Sequence, residues 1–252
     1  MDFPSYYRDN VTYIEHEDRR LDKIVEIVHG LRPATVLDVG CGSGWLAGLL
    51  QQRTDATVIG VDIVEGLNPT GWSYLTADVT RGLPLRDGSV DCVVAGEIIE
   101  HVPDPDQMLT EIHRVLAPGG SLVISTPNMV SWANRVLVPL GVQPLGTETS
   151  SVVALGRRWR VLGQGNRVQG HLKVFTHRAL DEILARYGFS VTARFGMPAE
   201  FPYPASLVDD FFTRFVALSS DLLYVAERVS TDTPPARPRA YDPRVSRWAR
   251  RR

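Results

Sequence analysis

The chain has 252 residues, of which 44% are apolar and 22% charged, and a net charge of −2. This length and composition suit one large α/β domain with a full core, and they exclude a fibrous or wholly disordered chain. The charge is uneven: residues 230–252 contain seven arginines, two aspartates and four prolines, about +5 in total, which leaves about −7 for the remainder. We predict a disordered basic tail with at most a weak contact to an anionic surface. We do not expect the acidic remainder to bind nucleic acid.

No segment of the sequence predicts export or membrane insertion. Residues 1–20 contain eight charged side chains, seven of them beyond Phe3, and lack an apolar signal stretch. No apolar run approaches the ~18 residues of a membrane span. We therefore expect a cytoplasmic protein. Cys41 and Cys92 fall in predicted core segments, so we expect two buried free thiols rather than a disulfide.

The predicted elements alternate between helix and strand. In chain order they are a helix at 15–31, a strand at 35–39, a helix at 45–52, strands at 57–62, 72–77 and 90–95, a helix at 104–117, a strand at 121–125, a helix at 176–187, and strands at 189–195 and 222–229. The helix at 104–117 has the clearest start, because Asp104 suits the N-cap and Pro105 the first helical position. This order predicts a doubly wound, mostly parallel, seven-stranded sheet with helices on both faces.

We expect residues 1–229 to form one domain. Between its fifth and sixth predicted strands, residues 127–171 interrupt the alternation with a long stretch rich in glycine. Connections of this length are more often functional than simple spacers. We predict that this insertion forms a lid on the substrate side of the site.

The segment VLDVGCGSG at 36–44 predicts a buried strand that ends in a turn open to a ligand, because its three glycines carry no Cβ atoms. The pattern also fits a dinucleotide fold, with Asp62 at a suitable distance downstream. However, Asp38 lies two residues before the first glycine. Its carboxylate would repel a pyrophosphate and attract an ammonium or sulfonium group, which favours a cationic nucleotide.

Five segments together resemble the class I S-adenosylmethionine-dependent methyltransferases, the ubiquinone-pathway O-methyltransferases in particular. They are VLDVGCGSG (36–44), VIGVDI (58–63), TADV (76–79), LPLRDGSVDCVVAGEIIEHVPDP (83–105) and VLAPGGSLVISTPN (115–128). The resemblance implies a Rossmann-like fold and S-adenosylmethionine as the cofactor. The implied cofactor residues are Asp38, Gly40, Cys41, Gly42 and Gly44 for the methionine part, Asp62 for the ribose hydroxyls with Ile63 beside it, and Asp78 and Val79 for the adenine.

The segment EIIEH follows the fourth predicted strand and contains Glu97, Glu100 and His101. One helical turn would put these three side chains on one face, and two carboxylates with an imidazole suit a divalent metal. With His171 in a later HLKVFT segment, the arrangement resembles the metal-dependent small-RNA 2′-O-methyltransferases. That similarity implies four metal ligands, Glu97, Glu100, His101 and His171. A metal-free general base and a purely structural role remain open, and so does the metal among Mg, Mn, Co and Zn.

The acceptor is less defined than the cofactor. Arg157, Arg158, Arg160 and Arg167 surround Trp159 in the insertion and would suit a phosphate or a sugar, although solvated charges explain them as well. We expect O-methylation of one hydroxyl of a vicinal diol in a sugar, glycan or catechol. The alternatives are a metal-free methyltransferase of a lipid, quinone or natural product, and a non-catalytic partner subunit that binds the cofactor. The oligomeric state is open. His16, His29, His113 and His177 are predicted to be surface or capping residues.

Overall fold

The computed structural model describes residues 18–156 and 168–229. The predicted basic tail, His16 and the arginines around Trp159 lie outside these residues. Within them, no helix is long and apolar enough to cross a membrane.

The described elements follow the predicted order closely. The helices are α1 (Arg19–Leu31), α2 (Trp45–Arg53), α3 (Pro105–Val115), α4 (Trp132–Leu137), α5 (His177–Arg186) and α6 (Ala205–Phe212), with a 3₁₀ turn at Val138–Leu140. The strands are β1 (Thr35–Val39), β2 (Thr57–Asp62), β3 (Ser73–Thr76), β4 (Val90–Gly96), β5 (Leu116–Pro127), β6 (Phe189–Met197) and β7 (Asp221–Arg228).

The seven strands form one sheet in the order β3-β2-β1-β4-β5-β7-β6. The first five are parallel, whereas β7 runs antiparallel to both β5 and β6. The predicted fold is therefore confirmed. Strand order reverses between β1 and β4, and in such sheets the crevice outside the carboxyl ends of these strands is where ligands bind.

Two hydrophobic clusters cover the two faces of the sheet. Along β4, Cys92 and Val94 belong to one cluster, while Val93 and Ala95 belong to the other. Helices α1 and α2 pack on the first face, and α3 and α5 on the second. Because successive side chains of a strand point to opposite faces, a parallel sheet covered on both sides produces such a continuous apolar strand.

Capping explains where α3 begins. Asp104 adopts an N-cap conformation, and its carboxylate accepts a hydrogen bond from the Gln107 N–H at 2.9 Å. Along the helix Met108, Leu109 and Ile112 are fully buried, and such burial contributes about 1.5–3 kcal/mol per side chain. The helix thus combines a local start signal with a buried apolar face, which is why its sequence predicted it well.

Two helices, α4 and α6, had not been predicted. Helix α4 has six residues and lies inside the insertion at 127–171, where apolar periodicity has too few turns to be read. Helix α6 has an inverted pattern, because Asp209 is its fully buried side chain while Leu207 and Phe211 are exposed. Sequence periodicity assumes that apolar residues face inward, and α6 violates that assumption.

Candidate functional site

A cavity of about 690 Å³ opens at the carboxyl ends of the central strands. Its walls come from the glycine turn after β1, the ends of β2 and β4, the start of α1, the insertion, and the segment that follows β6. The predicted site residues that line it are Asp38, Gly40, Cys41, Gly42, Asp62, Ile63, Asp78, Val79, Glu97, His101 and His171. A cavity of this size at the switch point has the dimensions of a small-molecule site.

The glycine turn is held against β2 and opens its backbone to the cavity. The N–H groups of Gly40 and Cys41 both donate to the carbonyl of Val61, at 2.8 and 3.1 Å. The structure shows a packing role for Gly44, and its contact with the cofactor stays a prediction. It is not among the described lining residues, and a Cβ at its φ of +83° would collide with the Trp72 ring. Gly44 therefore permits close packing behind the turn.

Asp38 places a buried carboxylate at the end of β1. The side chain is 2% exposed, and its Oδ2 has no hydrogen-bond partner among the residues that the structure describes. Burial, followed by the nearby charge of Asp62, raises the pKa of Asp38 to about 7. A buried oxygen without a donor is costly, so this atom favours a ligand that brings a hydrogen-bond donor or a positive charge.

Asp62 and Asp78 are two further carboxylates in the cavity wall. The carboxylate of Asp62 accepts from the backbone N–H of Gly42 at 2.8 Å and from that of Val64 at 3.1 Å. Asp78 accepts from the backbone and hydroxyl of Thr80, at 2.9 and 2.6 Å. Each carboxylate has more acceptor positions than these bonds use, so both retain capacity for hydroxyl or amino groups of a ligand.

Arg20 was missed by the sequence prediction. Its side chain is 8% exposed and lies 3.3 Å from Asp18, 3.2 Å from Glu97 and 3.7 Å from Asp221. Among the described residues that line the cavity it is the one lysine or arginine. A signal existed, because Arg20 precedes Ile24 by four residues and so lies on the apolar stripe of α1, where a charged residue is unusual.

The EIIEH segment does not form the predicted single face. Glu97 has a φ of +53°, and the turn that follows is closed by the bond from the His101 N–H to the Ile98 carbonyl, at 2.9 Å. Helical spacing therefore does not apply from Glu97 onward. Its carboxylate instead contacts Arg20 and accepts from the Ser125 hydroxyl at 2.9 Å. The structure does not bring Glu97 into the group of predicted metal ligands.

The other three predicted ligands do come together. One ligand atom each from Glu100, His101 and His171 lies within 4.8 Å of the other two. The Nδ1 atom of His171 lies 2.9 Å from the Gly146 carbonyl, and that of His101 lies 3.3 Å from the Gly170 carbonyl. Because a carbonyl can only accept, each Nδ1 donates, and in a neutral ring of this tautomer Nε2 is the atom that has the lone pair. This is the tautomer that metal-binding histidines use.

The group also contains a buried carboxylate oxygen for which a cation would be a partner. Glu100 is 1% exposed, its Oε2 accepts from the Thr126 hydroxyl at 2.9 Å, and its Oε1 has no hydrogen-bond partner among the described residues. Burial and the charge of Glu97 raise the pKa of Glu100 well above its usual range. Burial and the neighbouring His171 lower the pKa of His101 to about 4, so that ring is neutral at pH 7. The 3.8 Å approach of His101 to Glu100 is thus not an ion pair.

The remaining wall comes from the insertion and from the segment after β6. The insertion contributes Asn128 and Leu145, and the later segment contributes Ala199 and Phe201. Asp209 joins these regions, a role that the sequence did not predict. Its carboxylate accepts from the Trp132 indole at 2.7 Å, from the Ala199 N–H at 2.7 Å and from the Ser220 hydroxyl at 2.5 Å. These bonds fix α4, the segment after β6 and the start of β7 relative to one another.

Two further predictions concern the cysteines and His113. Cys41 and Cys92 are both buried and free, as expected. His113 was predicted to be a surface or capping residue, and the surface position is wrong. It is 4% exposed, and its ring packs edge-on against Phe189 with centroids 5.5 Å apart.

Comparisons with known proteins give consistent results. A family described as a methyltransferase domain matches residues 13–194. A probable S-adenosylmethionine-dependent methyltransferase of Mycolicibacterium smegmatis is 34% identical over 170 residues, which cover 66% of this chain and 64% of that protein. A ubiquinone biosynthesis O-methyltransferase of Pseudomonas paraeruginosa is 36% identical over 112 residues, 39% of this chain and 47% of that one. The chain therefore spans less than two thirds of the length of either relative.

Solved structures agree on the fold. The crystal structure of an S-adenosylmethionine-dependent methyltransferase from Mesorhizobium loti matches with a TM-score of 0.53 at 23% identity, covering 82% of this chain and 100% of that chain. At this identity the likeness concerns the fold alone.

Proposed function

The chain belongs to the methyltransferase-domain family, and from this premise we propose that it transfers the methyl group of S-adenosylmethionine to a hydroxyl of a small molecule or glycan. The observation that carries the proposal is the pair of oppositely charged groups in the cavity wall: the carboxylate of Asp38, whose Oδ2 lacks a partner among the described residues, and the buried guanidinium of Arg20.

The amino-acid end of the cofactor carries both a carboxylate and an ammonium group. Arg20 would bind the carboxylate, and Asp38 would accept from the ammonium group and attract the nearby sulfonium. Asp62 stands at the end of β2 with acceptor capacity for the two ribose hydroxyls, and Asp78 and Val79 would flank the adenine. In this arrangement Glu97 acts through Arg20, since it contacts that guanidinium at 3.2 Å.

At the acceptor end, Glu100, His101 and His171 would hold a divalent cation. Two Nε2 lone pairs and one carboxylate oxygen fit the preferences of Mn, Co or Zn better than those of Mg, which favours oxygen ligands. Such a cation, when bound, lowers the pKa of a hydroxyl at the site. The protein's own contribution is to fix both imidazoles through the Gly146 and Gly170 carbonyls. An acceptor with two adjacent hydroxyls, as in a sugar, glycan or catechol, would match a cation that grips both.

Removal of the hydroxyl proton by an imidazole without metal is the second candidate. The neutral state of His101 favours it, because a neutral ring can accept a proton. A pKa of about 4 nevertheless makes His101 a weak base at pH 7. The same lone pair is better suited to binding a cation, so we place the metal first.

The test combines cofactor binding with chelation. We expect calorimetry to detect S-adenosylmethionine and S-adenosylhomocysteine but not NAD. We expect methyl transfer to a panel of catechols and diol sugars to fall at least tenfold after EDTA, and to return with Mn²⁺ or Co²⁺. His171→Ala should lose turnover and keep cofactor affinity, whereas His29→Ala, which changes an exposed histidine, should keep both.

Each outcome addresses one part of the proposal. Binding of NAD alone would overturn the cofactor assignment. Turnover that is unaffected by EDTA would remove the metal and leave the imidazole base. Tight cofactor binding with no transfer to any hydroxyl compound would indicate a non-catalytic binding protein.

A further inference from the structure

Glu148 accepts hydrogen bonds from two consecutive backbone N–H groups that lie 21 and 22 residues later in the chain. Its carboxylate accepts from the N–H of Gln169 through one oxygen and from the N–H of Gly170 through the other, the latter at 2.8 Å. A carboxylate that accepts from two backbone donors forms strong, charge-assisted bonds and leaves the bound segment little freedom. We propose that Glu148 is a positioning residue that aligns His101 and His171 for methyl transfer to the acceptor.

The residues that Glu148 holds are those that orient the two imidazoles. The Gly170 carbonyl faces His101 Nδ1 at 3.3 Å, and His171 is the next residue in the chain. The Gly146 carbonyl, two residues before Glu148, faces His171 Nδ1 at 2.9 Å. The segment that contains Gly170 therefore orients His101, and the segment that contains Gly146 orients His171. Glu148 joins these two segments.

Glu148 itself extends from a fixed turn. The buried side chain of Asn134 on α4 accepts from the Leu145 N–H at 2.6 Å and donates to the Leu145 carbonyl at 3.2 Å. Thr147 closes the same turn through its hydroxyl bond to the Pro144 carbonyl at 2.8 Å. The path of contacts thus runs from a helix through this turn to the carboxylate, and from there to the segment that carries His171.

A second anchor on the same segment limits the expected effect. The N–H groups of Leu172 and Lys173 donate to the Glu100 carbonyl at 2.7 and 3.0 Å. Loss of Glu148 would therefore free residues 169 and 170 and leave 172 and 173 in place. The loosening should be local, and the fold should survive it.

The position of Glu148 predicts that its loss affects the reaction of the acceptor and not the binding of the cofactor. Gly146, Gln169 and His171 line the acceptor end of the cavity, whereas Asp38 and Asp62 lie on β1 and β2. Small displacements of reacting groups cost much rate, since alignment supplies a large part of the acceleration in methyl transfer. A change at Glu148 should thus reduce turnover and leave cofactor affinity intact.

The inference rests on the proposed function, so its test includes a readout that does not need activity. In the 252-residue chain we would compare Glu148→Ala, Glu148→Gln and the wild type by amide hydrogen exchange. The control is Glu182→Gln, which changes an exposed glutamate on α5. Exchange at Gln169 and Gly170 should be at least tenfold faster in Glu148→Ala, with unchanged exchange at Leu172 and Lys173. Glu148→Gln should lie between, because an amide offers one acceptor oxygen.

Kinetics then separate positioning from stability. We expect Glu148→Ala to lower kcat/KM for the acceptor at least tenfold, while the Kd of S-adenosylmethionine stays within twofold and the control behaves as wild type. Unchanged exchange at both amides would overturn the inference whatever the activity. Faster exchange with unchanged kcat/KM would overturn the positioning role. A wild type that shows the expected exchange but methylates nothing would overturn the proposed function and leave the contact supported.

Discussion

Asp38 should make cofactor affinity depend on pH. Its carboxyl has a pKa of about 7 in the chain without ligand, because burial and then Asp62 disfavour the charge. Binding of a cation beside it favours the ionised form, so the cofactor should displace a proton. Affinity should therefore rise with pH up to about 7 and level off above that value.

The magnitude follows from the pKa. If the bound cofactor holds the carboxyl ionised throughout, the Kd at pH 6 should be about tenfold higher than at pH 8, since at pH 6 only about a tenth of the free chain is ionised. About one proton should be released per cofactor at pH 6, and almost none at pH 8. In Asp38→Asn this pH dependence should vanish, and affinity at pH 8 should fall about tenfold or more with the loss of a charged acceptor.

The same carboxyl should affect stability with the opposite sign. Between the usual pKa of 3.8 and about 7, the folded chain holds a proton that the unfolded chain has released. The free energy of unfolding of the chain without ligand should thus fall as pH rises through this window, by about 4 kcal/mol for a shift of this size. Asp38→Asn should be more stable than the wild type at pH 8, and the difference should shrink toward pH 4.

The assay is calorimetry at pH 6, 7 and 8 in buffers of different ionisation enthalpy, with urea unfolding of the same proteins. Comparison with Asp38→Asn removes the titration of the ligand itself, and Asp55→Asn, at an exposed carboxylate, is the matched control. An equal pH slope in the wild type and Asp38→Asn, or no proton release at pH 6, would refute the reasoning.

Two further predictions concern the frame around the cavity. Gly44→Ala should lower the free energy of unfolding by about 2–4 kcal/mol in urea unfolding, because it adds strain at positive φ and a clash with Trp72. The control Gly48→Ala, a helix position with open space, should be neutral or stabilising, and equal effects would contradict the packing role. Asp209→Asn should lower the free energy of unfolding by about 2–3 kcal/mol. The NH₂ group of the new amide would then face one of the donors that the carboxylate now accepts from. The neighbouring Asp210→Asn, at a half-buried carboxylate that contacts Arg19, should cost at most about 1 kcal/mol. Similar losses in both variants would contradict the role of Asp209 in joining α4, the segment after β6 and β7.

The cofactor side of the cavity could be predicted because its residues follow strand ends. Asp38, the glycine turn and Asp62 each come directly after, or at the end of, a buried strand, and parallel strands bring their carboxyl ends to one edge. Local sequence and topology together were therefore sufficient to group them. The exception is Gly44, whose packing against Trp72 depends on a side chain 28 positions away in the sequence.

The group of four predicted metal ligands was predicted only in part, because the backbone conformation at Glu97 could not be foreseen. Glu100, His101 and His171 meet, but the positive φ of Glu97 breaks the helical spacing and turns its carboxylate toward Arg20. Non-glycine residues rarely adopt that conformation, so composition and spacing predict against it.

The sequence by itself determined the succession of helices and strands along the chain, the core on both faces of the sheet, and the edge of the sheet where a ligand binds. These features follow from apolar periodicity and from the rules for parallel sheets. Only the tertiary structure decided which polar groups face one another. Arg20 meets Asp221 across 201 positions, Trp132 meets Asp209 across 77, and Glu148 meets Gly170 across 22. No local pattern encodes such pairs, because their energy depends on distance and burial in the folded chain rather than on the identity of neighbours in the sequence.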